Sequence, residues 1–236
     1  MYGSTHIVAG NGESPIGIIG IAGSAGGIQA LRELLRVLPA EFPCPIVIAQ
    51  HLRPLATYRS VLHRVLRSET ALCVKWAEAG EFLRSGSVFL SPQDQHVEIT
   101  PDRRIQLTCA GKTNGFRPVA DPLFASIARE YGPRGAGVIL SGCLRDGAEG
   151  AYRIGAAGGR MLVQDRSTSL ISDMPRAAIR TGAVHFELSP EMIGRALIAL
   201  AMAPGAAEWL QVWPKALTPP ASDIPQLPLV GCNLPG

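Results

Sequence analysis

Short apolar runs alternate with amphipathic helical patterns along most of the chain, and this alternation limits the possible folds more than any other feature. The runs at 16–22 (IGIIGIA), 45–50 (PIVIAQ) and 135–142 (GAGVILSG) are apolar at successive positions, which is typical of strands buried on both faces. The segment between the first two carries leucines at helical spacing. We therefore predict an α/β fold with a doubly wound, mostly parallel sheet and helices on both faces, in three layers.

The remaining elements follow from the same patterns. Helices are predicted at 28–38, 58–68, 121–131, 147–158, 174–182 and 189–202. Further strands are predicted at 87–92 and 160–165, and the segment 96–109 predicts a small hairpin that turns at Pro101 and Asp102. Asp121 stands directly before a proline at a helix start, so we expect it to act as a capping residue there.

Composition excludes several classes of protein. With 47% hydrophobic residues in 236, the chain can bury a sizeable core, and disorder is not expected. A net charge of +3 is too small to favour a nucleic-acid partner. The five cysteines are widely spaced, which argues against a zinc site or a disulfide framework. No apolar run approaches the roughly 18 residues of a membrane span, and no secretory signal is visible, so we expect a cytoplasmic protein without metal or cofactor.

The composition also suggests where the domain begins and ends. Residues 1–14 are small and polar, and we interpret them as a leader. Residues 15–202 carry the alternating pattern and form the predicted domain. Residues 203–236 are rich in proline and lack periodicity, which is typical of a tail.

Polar residues that could perform catalysis follow three of the predicted strands. In a doubly wound sheet, ligands bind beyond the carboxyl ends of the strands, where the strand order reverses. Ser24 follows the first strand, His51 the second, and Asp146 lies in the loop after the run at 135–142. A serine, a histidine and an aspartate supply the nucleophile, the base and the orienting carboxylate of acyl transfer. Glu149 is a competing candidate for the carboxylate, although it falls within a predicted helix.

The cluster Gly23-Ser24-Ala25-Gly26-Gly27 allows three interpretations. It lacks the spacing of a dinucleotide fingerprint, but it could hold another anion at a helix N-terminus. It could also be only a tight turn. Alternatively, small neighbours would let a substrate carbonyl approach the Ser24 hydroxyl, and the amides at the start of the helix would be suitable oxyanion donors.

These motifs resemble the catalytic domain of chemotaxis protein-glutamate methylesterases, the CheB family. The resemblance lies in GSAGG around Ser24, IAQHL around His51 and SGCLRDGAEG around Asp146. It extends through the blocks at 91–96, 116–124, 157–165 and 174–184, and it covers roughly residues 15–200. The resemblance implies a doubly wound α/β fold and hydrolysis of γ-glutamyl methyl esters on chemoreceptors with release of methanol. It also implies deamidation of particular receptor glutamines.

The resemblance also implies roles for individual residues. Ser24 would be the nucleophile, His51 the general base, and Asp146 the acid that orients it. The backbone amides of Ala25 and Cys143 would form the oxyanion hole. Three further residues are expected near the substrate cleft, namely His96, Arg117 and Met174. Arg53, Arg117 and Arg145 could contact acidic receptor helices or be merely solvated. The implied partners are a methylated receptor and a separate receiver or kinase protein.

The sequence departs from the family pattern at Ala25, Cys143 and Leu144, where the family usually has threonine, methionine and glycine. A displaced loop at Leu144 would remove an oxyanion donor, so the alternative function is a weakened module that binds receptors or signalling partners without turnover. Only about 15 residues precede the first strand. We therefore expect the catalytic domain without the family's receiver domain, and regulation by other means.

Overall fold

In the part of the chain that the structure describes, seven parallel strands form the central sheet. A computed structural model describes residues 14–51, 56–111 and 115–203, with the backbone alone at 56–60. The sheet has the order β3-β4-β2-β1-β7-β8-β9, and every neighbouring pair is parallel. Its strands are β1 (Ile18–Gly23), β2 (Ile46–Gln50), β3 (Cys73–Trp76), β4 (Ser87–Leu90), β7 (Gly135–Ile139), β8 (Arg160–Gln164) and β9 (Phe186–Leu188).

Helices cover both faces of this sheet. They are α1 (Gly27–Arg36), α2 (Ala56–Arg67), α3 (Ala120–Tyr131), α4 (Ala148–Ala156), α5 (Asp173–Arg180) and α6 (Pro190–Met202). Ile19 and Ile21 of β1 belong to the core shared with α1, α2 and α6. Ile18 and Ala22, on the opposite face, belong to the core shared with α3, α4 and α5. The predicted three-layer α/β fold is therefore confirmed.

A separate antiparallel hairpin lies against the core that the sheet shares with α3, α4 and α5. It consists of β5 (His96–Ile99) and β6 (Ile105–Thr108), and Val97, Ile99 and Ile105 are buried with α3. The predicted small hairpin is thus present.

The order of the strands reverses at β1, because β1 pairs with β2 on one side and with the much later β7 on the other. Both pairs are parallel, so the three strands end at the same edge of the sheet. The loops that leave them carry Ser24, His51 and the segment 140–147. This edge is where such a sheet binds its ligands.

Two short strands and one strand end differ from the sequence prediction. β3 and β9, at the two edges of the sheet, were not predicted; they have only four and three residues and are partly exposed, so neither shows a continuous apolar run. β7 ends at Ile139 rather than at residue 142. The Ser141 amide donates to the Gln164 side chain (2.8 Å), which ends the pairing with β8, whereas backbone hydrogen bonds to the β1 side continue through Leu140 and Ser141.

Parts of the domain prediction lie outside the described residues. These parts are most of the predicted leader and nearly all of the predicted tail, residues 1–13 and 204–236. Among the helices that the structure describes, none combines the length and the apolar character that crossing a membrane requires.

Close packing of α6 against α1 provides a test of the fold. A Cβ atom added at Gly194 would lie 2.4 Å from Val37 Cγ2 and 2.7 Å from the carbonyl oxygen of Leu34. Because the backbone of α1 cannot move aside alone, we expect Gly194→Ala to lower the free energy of unfolding by about 1–3 kcal/mol. Chemical denaturation measures this change. Gly111→Ala, where an added Cβ meets nothing within 4 Å, should be neutral and serves as the control.

Candidate active site

Ser24 is held at the junction between β1 and α1. Its amide donates to the carbonyl oxygen of Ser141 beyond β7 (2.9 Å), and its own carbonyl accepts from the Gly27 amide (2.9 Å). Gly142 lies so close that a Cβ there would be 2.8 Å from Ser24 Cβ. The half-buried serine is therefore fixed between the ends of two neighbouring strands.

His51 lies beside this junction and is joined to Asp146. The His51 amide donates to the Gly23 carbonyl (2.9 Å), which continues the parallel register of β2 with β1. Its Nε2 atom is 2.8 Å from Asp146 Oδ2, and both side chains are about 5% exposed or less. The Phe116 ring stacks on the imidazole, with centroids 4.7 Å apart and an interplanar angle of 10°. The ring plane of His51 is thus fixed by a carboxylate at one nitrogen and an aromatic face above it.

Asp146 also binds the N-terminus of α3. Its Oδ2 accepts from the Ala120 amide (2.7 Å), and its Oδ1 accepts weakly from the Asp121 amide (3.4 Å). Amides at the start of a helix carry partial positive charge, which attracts the carboxylate oxygens of Asp146. The competing acid, Glu149, instead forms an ion pair with Arg153 (2.9 Å).

Asp121 caps a different helix from the one expected. It lies in the first turn of α3, but its Oδ1 accepts from the Gly150 amide in the first turn of α4 (2.8 Å). The amides of Ala120 and Asp121 at the start of α3 bind Asp146 instead, so the expectation that Asp121 caps its own helix is wrong. Burial, and then the charge of nearby Asp146, raise the pKa of Asp121 to about 7.

Gln50 joins the backbones of the nucleophile and the base. Its Nε2 donates to the carbonyl oxygens of Ser24 (2.9 Å) and His51 (3.1 Å). The side chain is buried, and Gly23 and Gly27 make room for it, since a Cβ at either position would lie within 2.7 Å of Gln50 Oε1. The glycine cluster therefore accommodates a buried amide as well as forming the turn.

The loop after β7 keeps a glycine-like backbone at Leu144. Leu144 has φ of +69°, in the left-handed region that favours glycine. A leucine at this position was expected to displace the loop. Instead, Leu144 adopts the positive φ that a glycine would have, at the cost of backbone strain. Next to it, the Gly142 amide donates to the Ile171 carbonyl (2.9 Å), and the buried Met174 packs its Sδ against Gly142.

The other two cleft candidates are bound to the protein around the site. His96 is buried; its Nδ1 accepts from the Val119 amide (3.3 Å) and its Nε2 lies 3.3 Å from the Gly111 carbonyl. Arg117 forms an ion pair with Asp94 (2.9 Å) and donates to the carbonyls of Cys109 and Ala110 (2.7 Å each). His96 and Arg117 thus hold the segment that carries Phe116.

Of the other two arginines that were expected near the site, Arg145 is exposed, and Arg53 lies outside the described residues. Within the described segments, no group of three or more His, Cys, Asp or Glu residues is placed to hold a metal ion.

Sequence reasoning missed Phe116 and Gln50. Gln50 is a polar residue at the end of an apolar strand, directly before His51. That position was the sequence signal that could have indicated a role for Gln50 in the site. Phe116 begins one of the blocks that resemble the family, but no sequence pattern pairs it with His51, because only folding brings the two together across 64 intervening positions.

Comparisons with known proteins agree with this architecture. Residues 19–197 match the family model described as CheB methylesterase. The protein-glutamate methylesterase FrzG of Myxococcus xanthus is 39% identical over 184 residues, which cover 78% of this chain and 54% of FrzG. A second M. xanthus protein, protein-glutamate methylesterase/protein-glutamine glutaminase 4, is 40% identical over 169 residues, covering 72% and 47%.

A solved structure shows the same fold. The crystal structure of the Thermotoga maritima CheB methylesterase catalytic domain aligns with a TM-score of 0.75 and 32% identity, over 79% of this chain and 99% of that chain. The protein therefore belongs to the CheB methylesterase family. It spans about half the length of the curated relatives that it matches.

The role of Gln50 can be tested by removing its donor. In Gln50→Met the side chain keeps its length but cannot donate to the carbonyls of Ser24 and His51. Because two buried hydrogen bonds are lost, although the Gly27 amide still donates to the Ser24 carbonyl, we expect the free energy of unfolding to fall by about 1–3 kcal/mol. Urea denaturation measures the loss. Gln106→Met, at an exposed position of β6, should change stability little, and equal effects of the two variants would contradict this role.

The backbone of Leu144 gives a second prediction. Leu144→Gly and Leu144→Ala both remove the half-buried side chain, but only glycine relieves the positive φ. Relief of the positive φ stabilises the glycine variant, and the greater conformational entropy of glycine in the unfolded chain opposes this gain. We expect a net free energy of unfolding about 1 kcal/mol higher for the glycine variant than for the alanine variant. Thermal unfolding of the pair measures the difference. An alanine variant as stable as the glycine variant would show that the loop is unstrained.

Proposed function

We propose that this protein is a serine hydrolase that demethylates γ-glutamyl methyl esters, and deamidates glutamines, on chemoreceptor-type proteins. The observation that carries the proposal is the 2.8 Å contact between His51 and Asp146, at the sheet edge where Ser24 follows the adjacent strand. Membership of the CheB methylesterase family and the names of the relatives support the choice of substrate.

The contacts of His51 support one of its two ring nitrogens as the base. The Asp146 carboxylate can only accept a hydrogen bond, and it contacts His51 Nε2. The neutral imidazole therefore carries its proton on Nε2, which donates to Asp146. The lone pair is then on Nδ1, and we assign Nδ1 as the atom that takes the proton of the Ser24 hydroxyl. The Ser24 oxygen attacks the ester carbonyl, and the imidazolium formed is stabilised by the charge of Asp146.

The backbone amides at the site limit the choice of oxyanion donors. The amides of Ser24, Gly27 and Gly142 donate to carbonyl oxygens. The assignment of the Ala25 and Cys143 amides to the oxyanion of the tetrahedral intermediate is supported by the family relationship. Since these donors are main-chain groups, the unusual side chains at both positions do not remove them, and each such donor contributes about 3 kcal/mol to transition-state stability.

Collapse of the intermediate completes the first half of the reaction. The carbonyl re-forms, the methoxy group leaves, and His51 Nδ1 returns the proton to it, which gives methanol and a glutamyl ester of Ser24. A water molecule then attacks this ester and His51 takes one of its protons. His51 passes that proton to the leaving Ser24 oxygen, which restores the hydroxyl and releases the glutamate side chain. With glutamine as substrate, ammonia leaves in place of methanol.

The proposed partners follow from the same family relationship. The substrate is a methylated receptor or receptor-like protein, and a separate receiver or kinase protein is the proposed source of regulation. A cytoplasmic location stays a prediction.

Methanol release tests the proposal directly. Membranes that carry a methylated chemoreceptor are incubated with the purified protein, and methanol is measured by gas chromatography. We expect wild-type protein to release methanol and Ser24→Ala to reduce the rate at least about 10³-fold, because the nucleophile is absent. Asp146→Asn should reduce the rate by about 10²–10⁴-fold, because the base loses its orienting charge.

Ser68→Ala, an exposed serine at the end of α2, is the matched control and should retain wild-type activity. Wild-type protein that binds the membranes without releasing methanol or ammonia would contradict the proposal. It would instead favour a module that binds receptors without turnover.

A further inference from the structure

Two aspartates exchange helix caps behind the base. Asp146, at the entrance to α4, accepts from the first amides of α3, while Asp121, in the first turn of α3, accepts from the Gly150 amide of α4. Each carboxylate thus binds the N-terminus of the other's helix. Together they tie the two helix starts to each other and to His51.

This exchange fixes the loop that carries Asp146. Gly150 is packed against Phe124 of α3, where an added Cβ would lie 2.4 Å from Phe124 Cβ. The Asp121–Gly150 hydrogen bond holds the first turn of α4 at this contact, and Asp146 lies only two residues before that helix. A shift of α4 would therefore move the carboxylate that His51 requires.

We propose that Asp121 is a positioning residue for the triad: its oxygen holds the Asp146 loop in place, and its charge acts on the His51 imidazole through Asp146. The inference rests on the proposed roles of His51 and Asp146. Asp121 itself is not a catalytic residue, because its carboxylate accepts from backbone amides at the start of α4 and lies near the Asp146 carboxylate.

The groups around Asp121 determine the sign of its electrostatic effect. Asp146 and Glu149 face it from the loop and first turn of α4, and both disfavour its ionisation, whereas the Gly150 and Gly147 amides favour it. Glu149 is itself paired with Arg153, and His96 of the hairpin binds the Val119 amide just before α3.

Because burial and Asp146 raise the pKa of Asp121 to about 7, the group is largely uncharged below neutrality and becomes negative above it. The folded state then binds the proton more tightly than the unfolded chain, so this group makes stability fall as pH rises from about 4 to about 7. Its negative charge stabilises the imidazolium that the proposed reaction forms at His51.

Histidine NMR of the full chain tests the proposal without requiring turnover. The ring signal of His51 is identified by its absence in His51→Gln and followed from pH 4 to 9. We expect Asp121→Asn, which keeps an oxygen for Gly150 but carries no charge, to lower the pKa of His51 by several tenths of a unit or more. Glu149→Gln, which removes a neighbouring charge and leaves the cap intact, should lower it much less.

Kinetics with the methylated receptor membranes test the cap. Asp121→Ala removes the oxygen, so kcat should fall at least tenfold with KM nearly unchanged, whereas Asp121→Asn should keep kcat within about threefold of wild type. A His51 pKa that is the same in wild type and Asp121→Asn would overturn the proposal, and so would a folded Asp121→Ala with wild-type kcat.

If Asp121→Ala does not fold, the titration of the His51 ring signal in Asp121→Asn tests the proposal by itself. Absence of methanol release from the wild type would count against the proposed function alone, since the His51 titration still tests Asp121.

Discussion

The parallel pairing of β1 with both β2 and β7 is the constraint on which the rest of the site depends. Pairing on both sides places the carboxyl ends of three strands at one edge, although β7 begins more than a hundred residues after β1 ends. Ser24, the His51 amide and Ser141 are then joined by backbone hydrogen bonds that continue the sheet. The side chains of the site are added to this frame, and Gln50, Phe116 and Asp121 refine their positions.

The long elements of the fold could be predicted because their burial appears in the sequence. β1 and β2 are buried along their whole length, and α1 places its leucines on one face, so apolar runs and helical spacing were sufficient. β3 and β9 could not be predicted in the same way. They are the outermost of the described strands, each paired with one described strand only, and their residues are partly exposed, so their formation depends on the strand beside them.

The site divides along a similar line. Ser24, His51 and Asp146 could be predicted from the sequence, because they follow parallel strands whose carboxyl ends lie at one edge of the sheet. What it could not show were contacts between distant segments: the Phe116 ring on His51, and the Asp121 carboxylate on α4 rather than on its own helix. Nor could it show that Leu144 adopts the backbone of a glycine, because that depends on the loop closing against its surroundings.

The wide separation of the site residues along the chain has a consequence for how the protein is made. The pairs Ser24–Ser141 and His51–Asp146 each join segments about a hundred positions apart, so loop closure over that length must precede either contact. During synthesis, the His51 side chain cannot form its contact with Asp146 until Asp146 has left the ribosome. Recovery of the His51–Asp146 contact during renaturation therefore reports that the central strands have assembled, and no shorter N-terminal fragment can give that signal.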